Sequence, residues 1–242
     1  MAYWVANDLV DVIVPTSRFV SSDSGINVDE WKKTGAEITA GMEVSIDSTW
    51  NKPLRIMNPE TARGQAASYL AAGSEGIYLY NYFSHPDHFS QSDHYFHGYH
   101  RNRAVYTTCG SLEKLYEYPL RFVVIPQLDD FSETIKAWNP FEGKGDFEFE
   151  IITGKLPEGK KAYVVIGYAE GDGEVFVNGE KCTELMDINM GYIPGIGMQP
   201  ANYVEENTRC VRYKIKTLAD HVQKIKVKSS DALVCWAEIY VI

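Results

Sequence analysis

The sequence predicts an α/β region followed by an all-β region, with the change near residue 118. In the first region, strand-like and helix-like segments alternate, which is the order of a parallel sheet with right-handed crossovers. The apolar run Ile77-Tyr78-Leu79-Tyr80 has no polar alternation, as expected for a strand buried on both faces. Beyond residue 118, apolar and charged residues alternate in short segments, which predicts antiparallel strands with one solvated face.

In the first region, the pattern predicts a helix within residues 1–9, a strand at 10–15, a helix at 28–34 and a strand at 37–44. Small and apolar residues then recur at three- and four-residue steps between Ala62 and Leu70, which predicts an amphipathic helix. A turn leads from this helix into the apolar strand at 77–80. A long polar loop over residues 84–103 and a short helix over 111–116 complete the region.

In the second region, Phe147, Phe149 and Ile151 alternate with glutamates, and residues 211–216 and 224–228 alternate with basic residues. The opposite charges predict cross-strand pairs on a solvated face. Asn178-Gly179 lies between two strand-like segments and predicts a tight hairpin. These features predict a jelly-roll-like antiparallel β-sandwich over residues 118–242. The segment 186–207 has no regular pattern, and we expect it to form an intersubunit or interdomain contact.

Composition limits the classes of partner. The chain has 33 acidic and 23 basic residues and a formal charge of −10, which argues against nucleic acid or an anionic membrane surface. Its 16 tyrosines favour a surface that binds sugars or proteins. The sequence has neither a bilayer-spanning apolar run nor the pattern of a signal peptide, which predicts a cytoplasmic protein if Met1 is the natural start.

The strand count of the first region leaves two architectures open. About 115 residues hold three β/α units, whereas a closed (β/α)₈ barrel takes about 250 residues. Residues 1–117 therefore form either a small open α/β layer or a piece of a barrel whose remaining strands come from elsewhere.

Three segments bear on this choice: VDVIVPTSRF, ITAGMEVS and TARGQAASYLAAGSEGIYLYNYF. Together they resemble the last three strands of a family of bacterial glycoside-hydrolase-like TIM barrels, and residues 118–242 are similar to the family's C-terminal sandwich. The resemblance implies a half (β/α) barrel over residues 1–117. The family's first five strands have no counterpart here, so we expect a homodimer to complete the barrel.

The resemblance makes Glu43 the best catalytic candidate, because the family places its nucleophile at the end of the corresponding strand. Glu43 could instead cap a strand or bind ligand hydroxyls. The family's acid partner lies on an absent strand. Asp47, Asp87 and Asp93 could replace it, but their spacing singles out none of them.

Four further residues are candidate ligand-binding groups. Arg18, Asn81 and Tyr82 follow predicted strands, and polar groups at the carboxyl ends of parallel strands commonly form sites. Trp50 could stack on a pyranose ring. For Arg18, anchoring a loop is the alternative role.

The polar loop at 84–103 holds five of the chain's six histidines, some of them three residues apart. This spacing could bring two of them to a metal, but no metalloprotease-type motif is present and we predict no metal and no cofactor. The four cysteines show no C-x-x-C spacing and favour buried free thiols, although a Cys182–Cys210 disulfide would fit an exported protein.

Together these observations predict a glycoside-hydrolase-related protein that binds, and could hydrolyse, a carbohydrate at the strand-end rim. The alternative is a non-catalytic carbohydrate-binding or scaffolding protein. Both readings predict a homo-oligomer and neither requires nucleic acid or a membrane.

Overall fold

The structure is a computed structural model that describes residues 1–16, 26–43, 57–80, 105–124, 143–188 and 209–242. These residues form three sheets: one parallel sheet of three strands and two antiparallel sheets of five and four strands. Their buried apolar side chains belong to one cluster that includes residues from all three sheets.

The parallel sheet is built from the first half of the chain. Its elements are α1 (Ala2–Ala6), β1 (Val12–Ile13), α2 (Val28–Lys32), β2 (Glu37–Glu43), α3 (Pro59–Ala71) and β3 (Gly76–Tyr80). Strand β2 lies in the centre and pairs with β1 and β3. The predicted helices and strands are confirmed in position. Asn27 and Asn58 cap α2 and α3, accepting hydrogen bonds from backbone N–H groups at 3.1 and 2.8 Å.

The prediction that residues 77–80 form a strand buried on both faces is wrong. Among the described strands, β3 lies at the edge of its sheet, and its Tyr78 and Tyr80 residues are 47% and 48% exposed. The buried central strand is β2, where Ile38, Ala40 and Met42 are at most 1% exposed. The run looks fully apolar because its tyrosines are treated as apolar residues. A tyrosine ring ends in a polar hydroxyl, so it is stable at a half-exposed position.

Helix α3 is not amphipathic as predicted. All its residues from Thr61 to Tyr69 are buried, including Arg63 and Gln65. It packs closely on strand β4 (Leu120–Val124) of the antiparallel part. At Gly64 the helix approaches β4 so closely that a Cβ atom would lie 2.1 Å from the carbonyl oxygen of Arg121. Contacts on several sides therefore bury the face that the sequence pattern assigned to solvent.

The rest of the chain forms the two antiparallel sheets. Helix α4 (Leu112–Tyr116) precedes β4 (Leu120–Val124), β5 (Phe147–Ile152), β6 (Ala162–Glu170), β7 (Glu174–Val177), β8 (Glu180–Lys181), β9 (Thr183–Ile188), β10 (Arg209–Lys214), β11 (Val222–Lys228) and β12 (Leu233–Val241). The five-stranded sheet has the order β4-β12-β6-β10-β9 and the four-stranded sheet the order β5-β11-β7-β8.

Several local predictions for this half are confirmed. Phe147, Phe149 and Ile151 are buried while the alternating glutamates are exposed. Glu148 and Glu150 pair with Lys226 and Lys224 of β11 across the strands. The hairpin between β7 and β8 turns at Asn178 and Gly179, which both have positive φ, as a two-residue turn of this type requires.

The predicted fold class, a half TIM-type barrel followed by a jelly-roll-like sandwich, is wrong. The sheets are open and mostly antiparallel, and none of those described closes into a barrel. β1 pairs with β2 over two residues only, so the parallel strands form a small open layer. Helix α3 packs on antiparallel strand β4, where the helices of a barrel would pack on parallel strands. The predicted boundary at residue 117 stays a prediction.

Candidate functional site

One face of the five-stranded sheet carries polar and aromatic residues, whereas its other face contributes to the apolar core. Directly opposed residues in antiparallel strands project to the same face. The register aligns Arg121 of β4, Tyr240 of β12, Tyr163 of β6 and Lys214 of β10 in one row. The next row contains Glu238, Val165 and Arg212. We call these two rows the arginine–tyrosine face.

The two tyrosine rings lie side by side on this face. Their centroids are 6.5 Å apart and the ring planes are tilted by 34°. The Arg121 guanidinium carbon lies 4.0 Å from the Tyr240 centroid, and that of Arg212 lies 5.5 and 5.7 Å from the Tyr163 and Tyr240 centroids. These are cation–π distances. Both rings are partly exposed, so the guanidinium groups hold an aromatic surface in place while leaving part of it accessible.

A buried ion network holds Arg121. Its Nε donates to Glu60 Oε2 at 2.7 Å, and its Nη1 donates to Glu238 Oε1 at 2.5 Å. The indole N–H of Trp236 donates to the second oxygen of Glu238 at 3.2 Å. The side chains of Arg121 and Glu238 are 4% and 0% exposed. Glu60 lies in the first turn of α3, so the network also joins α3 to the sheet.

Burial and charge act in opposite directions on the groups of this network. Burial raises the pKa of Glu238, and this effect outweighs Arg121 and the Trp236 N–H, which both lower it. For Arg121, burial lowers the pKa. The negative charges of Glu238 and Glu60 and the hydrogen bond to Glu60 raise the pKa by more than burial lowers it, so the net shift is upward. Arg121 therefore stays charged, and its charge is already compensated by acidic neighbours.

The sequence-predicted catalytic residue lies elsewhere. Glu43 is the last residue of β2, is 3% exposed, and pairs in register with Tyr80 of β3. Thr16 forms a bridge to Gly41 at the same edge. Glycoside hydrolysis usually uses two carboxylates. The candidate partners of Glu43, namely Asp47, Asp87 and Asp93, lie outside the described residues, so the catalytic role of Glu43 stays a prediction.

The four predicted ligand-binding residues, Arg18, Trp50, Asn81 and Tyr82, also lie outside the described residues, as do the loop at 84–103 and most of the segment 186–207. Their roles stay predictions. Within the described ranges, no cluster of three or more His, Cys, Asp or Glu side chains is placed to hold a metal ion. Cys182 and Cys210 are buried free thiols.

Sequence reasoning missed the arginine–tyrosine face. Arg212 and Lys214 were assigned to a solvated strand face, and Tyr163 and Tyr240 carried no separate signal. The sequence does show polar residues at alternate positions of the segments that form β10 and β12. Their meeting depends on β6 lying between those two strands, an order that no local pattern encodes.

Neither a search of protein-family models nor a search of curated proteins found a match to this sequence. The resemblance to glycoside-hydrolase-like barrels therefore stays a prediction. Among the helices that the structure describes, none has the length and apolar character needed to cross a bilayer.

Proposed function

We propose that this chain is a carbohydrate-binding protein that holds a saccharide against the Tyr163 and Tyr240 rings. The observation that carries the proposal is the aromatic pair itself, two adjacent and partly exposed rings held under guanidinium groups on one sheet face. This function keeps the binding role expected from the sequence and does not depend on a barrel.

The chemistry of the face suits a sugar. The C–H groups of a pyranose ring present a flat apolar surface that packs on tyrosine, and the sugar hydroxyls need donors and acceptors at the rim of that contact. The tyrosine hydroxyls and the Arg212 guanidinium supply such groups. Because Arg121 is fixed by two carboxylates, the Tyr240 ring beneath it is positioned before a ligand arrives.

Replacing either tyrosine by alanine is expected to weaken binding of the saccharide by about tenfold or more, equivalent to about 1.4 kcal/mol. The alanine variants lose the stacking surface but keep the strand pairing. A glycan array first identifies the best-bound oligosaccharide, and isothermal titration calorimetry then compares its affinity for wild type, Tyr163→Ala and Tyr240→Ala. The matched control is Phe176→Ala, which removes a partly buried ring from the four-stranded sheet.

Absence of any oligosaccharide binding by the wild type would contradict the proposal. So would equal affinities for the wild type and both tyrosine variants. Far-ultraviolet circular dichroism of each variant establishes that its sheets are intact before affinities are compared.

We propose that the chain also forms a homodimer through its parallel layer. Large apolar side chains are exposed in this layer: Tyr3 is 71% exposed, Trp4 48%, and Tyr78 and Tyr80 of edge strand β3 are nearly half exposed. The rings of Tyr78 and Tyr80 stack with centroids 6.4 Å apart. Exposed edge strands and apolar surface favour association, and a second copy offers the same surface.

The double variant Tyr78→Lys/Tyr80→Lys is expected to be monomeric at concentrations where the wild type is dimeric, because it places charges on the edge strand. Light scattering coupled to gel filtration at micromolar concentration measures the mass. Leu185→Lys is the control, since Leu185 is 46% exposed on β9, outside this layer. A monomeric wild type would contradict the dimer, and a double variant that remains dimeric would contradict the parallel layer as its interface.

A further inference from the structure

We infer that the saccharide bound at the arginine–tyrosine face is anionic and carries a carboxylate, which Arg212 and Lys214 recognise. The inference rests on the proposed function and adds the chemical class of the ligand. Its basis is the position of two basic side chains beside the tyrosine pair, together with the different surroundings of the two arginines.

Arg212 and Lys214 lie two residues apart on β10 and project to the same face. Lys214 is directly opposite Tyr163 in the register, and the Arg212 guanidinium lies over both tyrosine rings. A sugar stacked on these rings would place its ring substituents within reach of both cations. Lys214 is exposed and Arg212 is partly exposed, so solvent reaches Lys214 and part of the Arg212 side chain, although the Nε atom of Arg212 is buried.

The two arginines of this face differ in how their charge is compensated. Arg121 is paired with Glu60 and Glu238. No carboxylate of the described residues forms an ion pair with Arg212 or Lys214, although the chain as a whole has a net charge of −10. Glu238 lies in the same row as Arg212, but Val165 separates them and both oxygens of Glu238 already accept hydrogen bonds. Among the residues that the structure describes, the positive charge at the β10 side of the face is therefore uncompensated.

The Nε atom of Arg212 adds a second, independent observation. It is buried and has no hydrogen-bond partner among the residues that the structure describes. A buried donor without a partner is unfavourable, and structures seldom keep one without a reason. The guanidinium presents Nε and one Nη as a planar fork that matches the two oxygens of a carboxylate. A uronate carboxylate that displaces the groups covering Nε would satisfy both donors at once, which a single hydroxyl cannot do.

The test compares matched pairs of oligosaccharides, each consisting of a uronate oligomer and its carboxyl-reduced neutral counterpart. Galacturonate, glucuronate and mannuronate trimers supply the acidic members, and a sulfated neutral trimer tests another anionic group. Calorimetry on the full chain is expected to give at least tenfold tighter binding of the acidic member in one pair or more. Arg212→Gln is expected to abolish this preference, because the affinity for the acidic member falls at least tenfold further than the affinity for the neutral member.

Three further variants make the result specific. Arg212→Lys keeps the charge but loses the fork, so it should recover only part of the preference. Lys214→Gln changes an exposed residue and should reduce the preference even if Arg212→Gln proves unstable. Lys228→Gln removes one positive charge from the four-stranded sheet, away from the arginine–tyrosine face, and should leave the preference for the acidic member unchanged.

The outcomes separate this inference from the proposed function. Neutral and acidic members bound equally, with both affinities lost in Tyr163→Ala, would overturn the inference and leave the proposed function intact. A preference that Arg212→Gln and Lys214→Gln both leave unchanged would also overturn it, as would a preference for the sulfated trimer over every uronate. Failure of all these oligosaccharides and of the glycan array to bind would overturn both.

Discussion

Replacing Arg121 by methionine is expected to lower the free energy of unfolding by about 3–5 kcal/mol, because the buried Glu238 carboxylate loses its charge partner. Glu238 is fully buried, and the Trp236 N–H would be its remaining hydrogen-bond donor among those described. Urea unfolding followed by tryptophan fluorescence measures the change. The matched control is Lys224→Met, whose pair with Glu150 is exposed and whose loss should change stability by about 1 kcal/mol or less.

The same variant should show a characteristic pH dependence. Burial already raises the pKa of Glu238, and removal of Arg121 takes away a charge that lowers it. When the pKa of a carboxyl is higher in the folded state than in the unfolded state, the folded state must give up a tightly held proton as the pH rises. The free energy of unfolding therefore falls as the pH rises through the folded-state pKa. The stability deficit of Arg121→Met should therefore be larger at pH 7 than at pH 4. The double variant Arg121→Met/Glu238→Leu should recover much of the loss, since well-packed apolar residues can replace a buried pair.

An Arg121→Met protein within about 1 kcal/mol of wild type at pH 7 would show that the network does not hold the sheet and helix together. A deficit that does not depend on pH would show that Glu238 is not the group left uncompensated.

Gly64→Ala is expected to destabilise the protein by about 1–3 kcal/mol or more. This is the opposite of the intrinsic helix propensity, which makes alanine about 1 kcal/mol more favourable than glycine inside a helix. The reason is steric. A Cβ atom at this position would lie 2.1 Å from the carbonyl oxygen and 2.3 Å from the carbonyl carbon of Arg121. These are backbone atoms of β4, so no side chain can rotate away, and α3 would have to move off the sheet.

The control for this variant is Gly110→Ala, because a Cβ atom at Gly110 would meet nothing within 4 Å. Thermal and urea unfolding of the two variants should therefore diverge. A Gly64→Ala protein as stable as wild type, or more stable, would mean that α3 does not pack on β4 at this distance.

Local features of the fold were predictable from sequence because short-range chemistry determines them. The Asn178-Gly179 turn follows from the positive φ values that a two-residue hairpin needs. The Glu148 and Glu150 pairs follow from strands with a charged outer face. The start of helix α3 also follows from local chemistry, because Asn58 caps it and Pro59 suits the first helical position.

The remaining features depend on contacts between distant parts of the chain. Arg121 and Glu238 are 117 residues apart in sequence, and their meeting depends on β12 pairing with β4. The exposure of Tyr78 and Tyr80 depends on β3 being an edge strand. The same alternation of strands and helices precedes both a barrel and an open layer, so the pattern alone did not distinguish them.

We propose that the paired tyrosines of the five-stranded sheet bind a saccharide. The most direct measurement is the affinity of the best-bound oligosaccharide for the double variant Tyr163→Ala/Tyr240→Ala, with Phe176→Ala as control. We expect the double variant to lose detectable binding while its circular dichroism spectrum stays that of the wild type and the control binds normally. Unchanged binding by a folded double variant would contradict the claim.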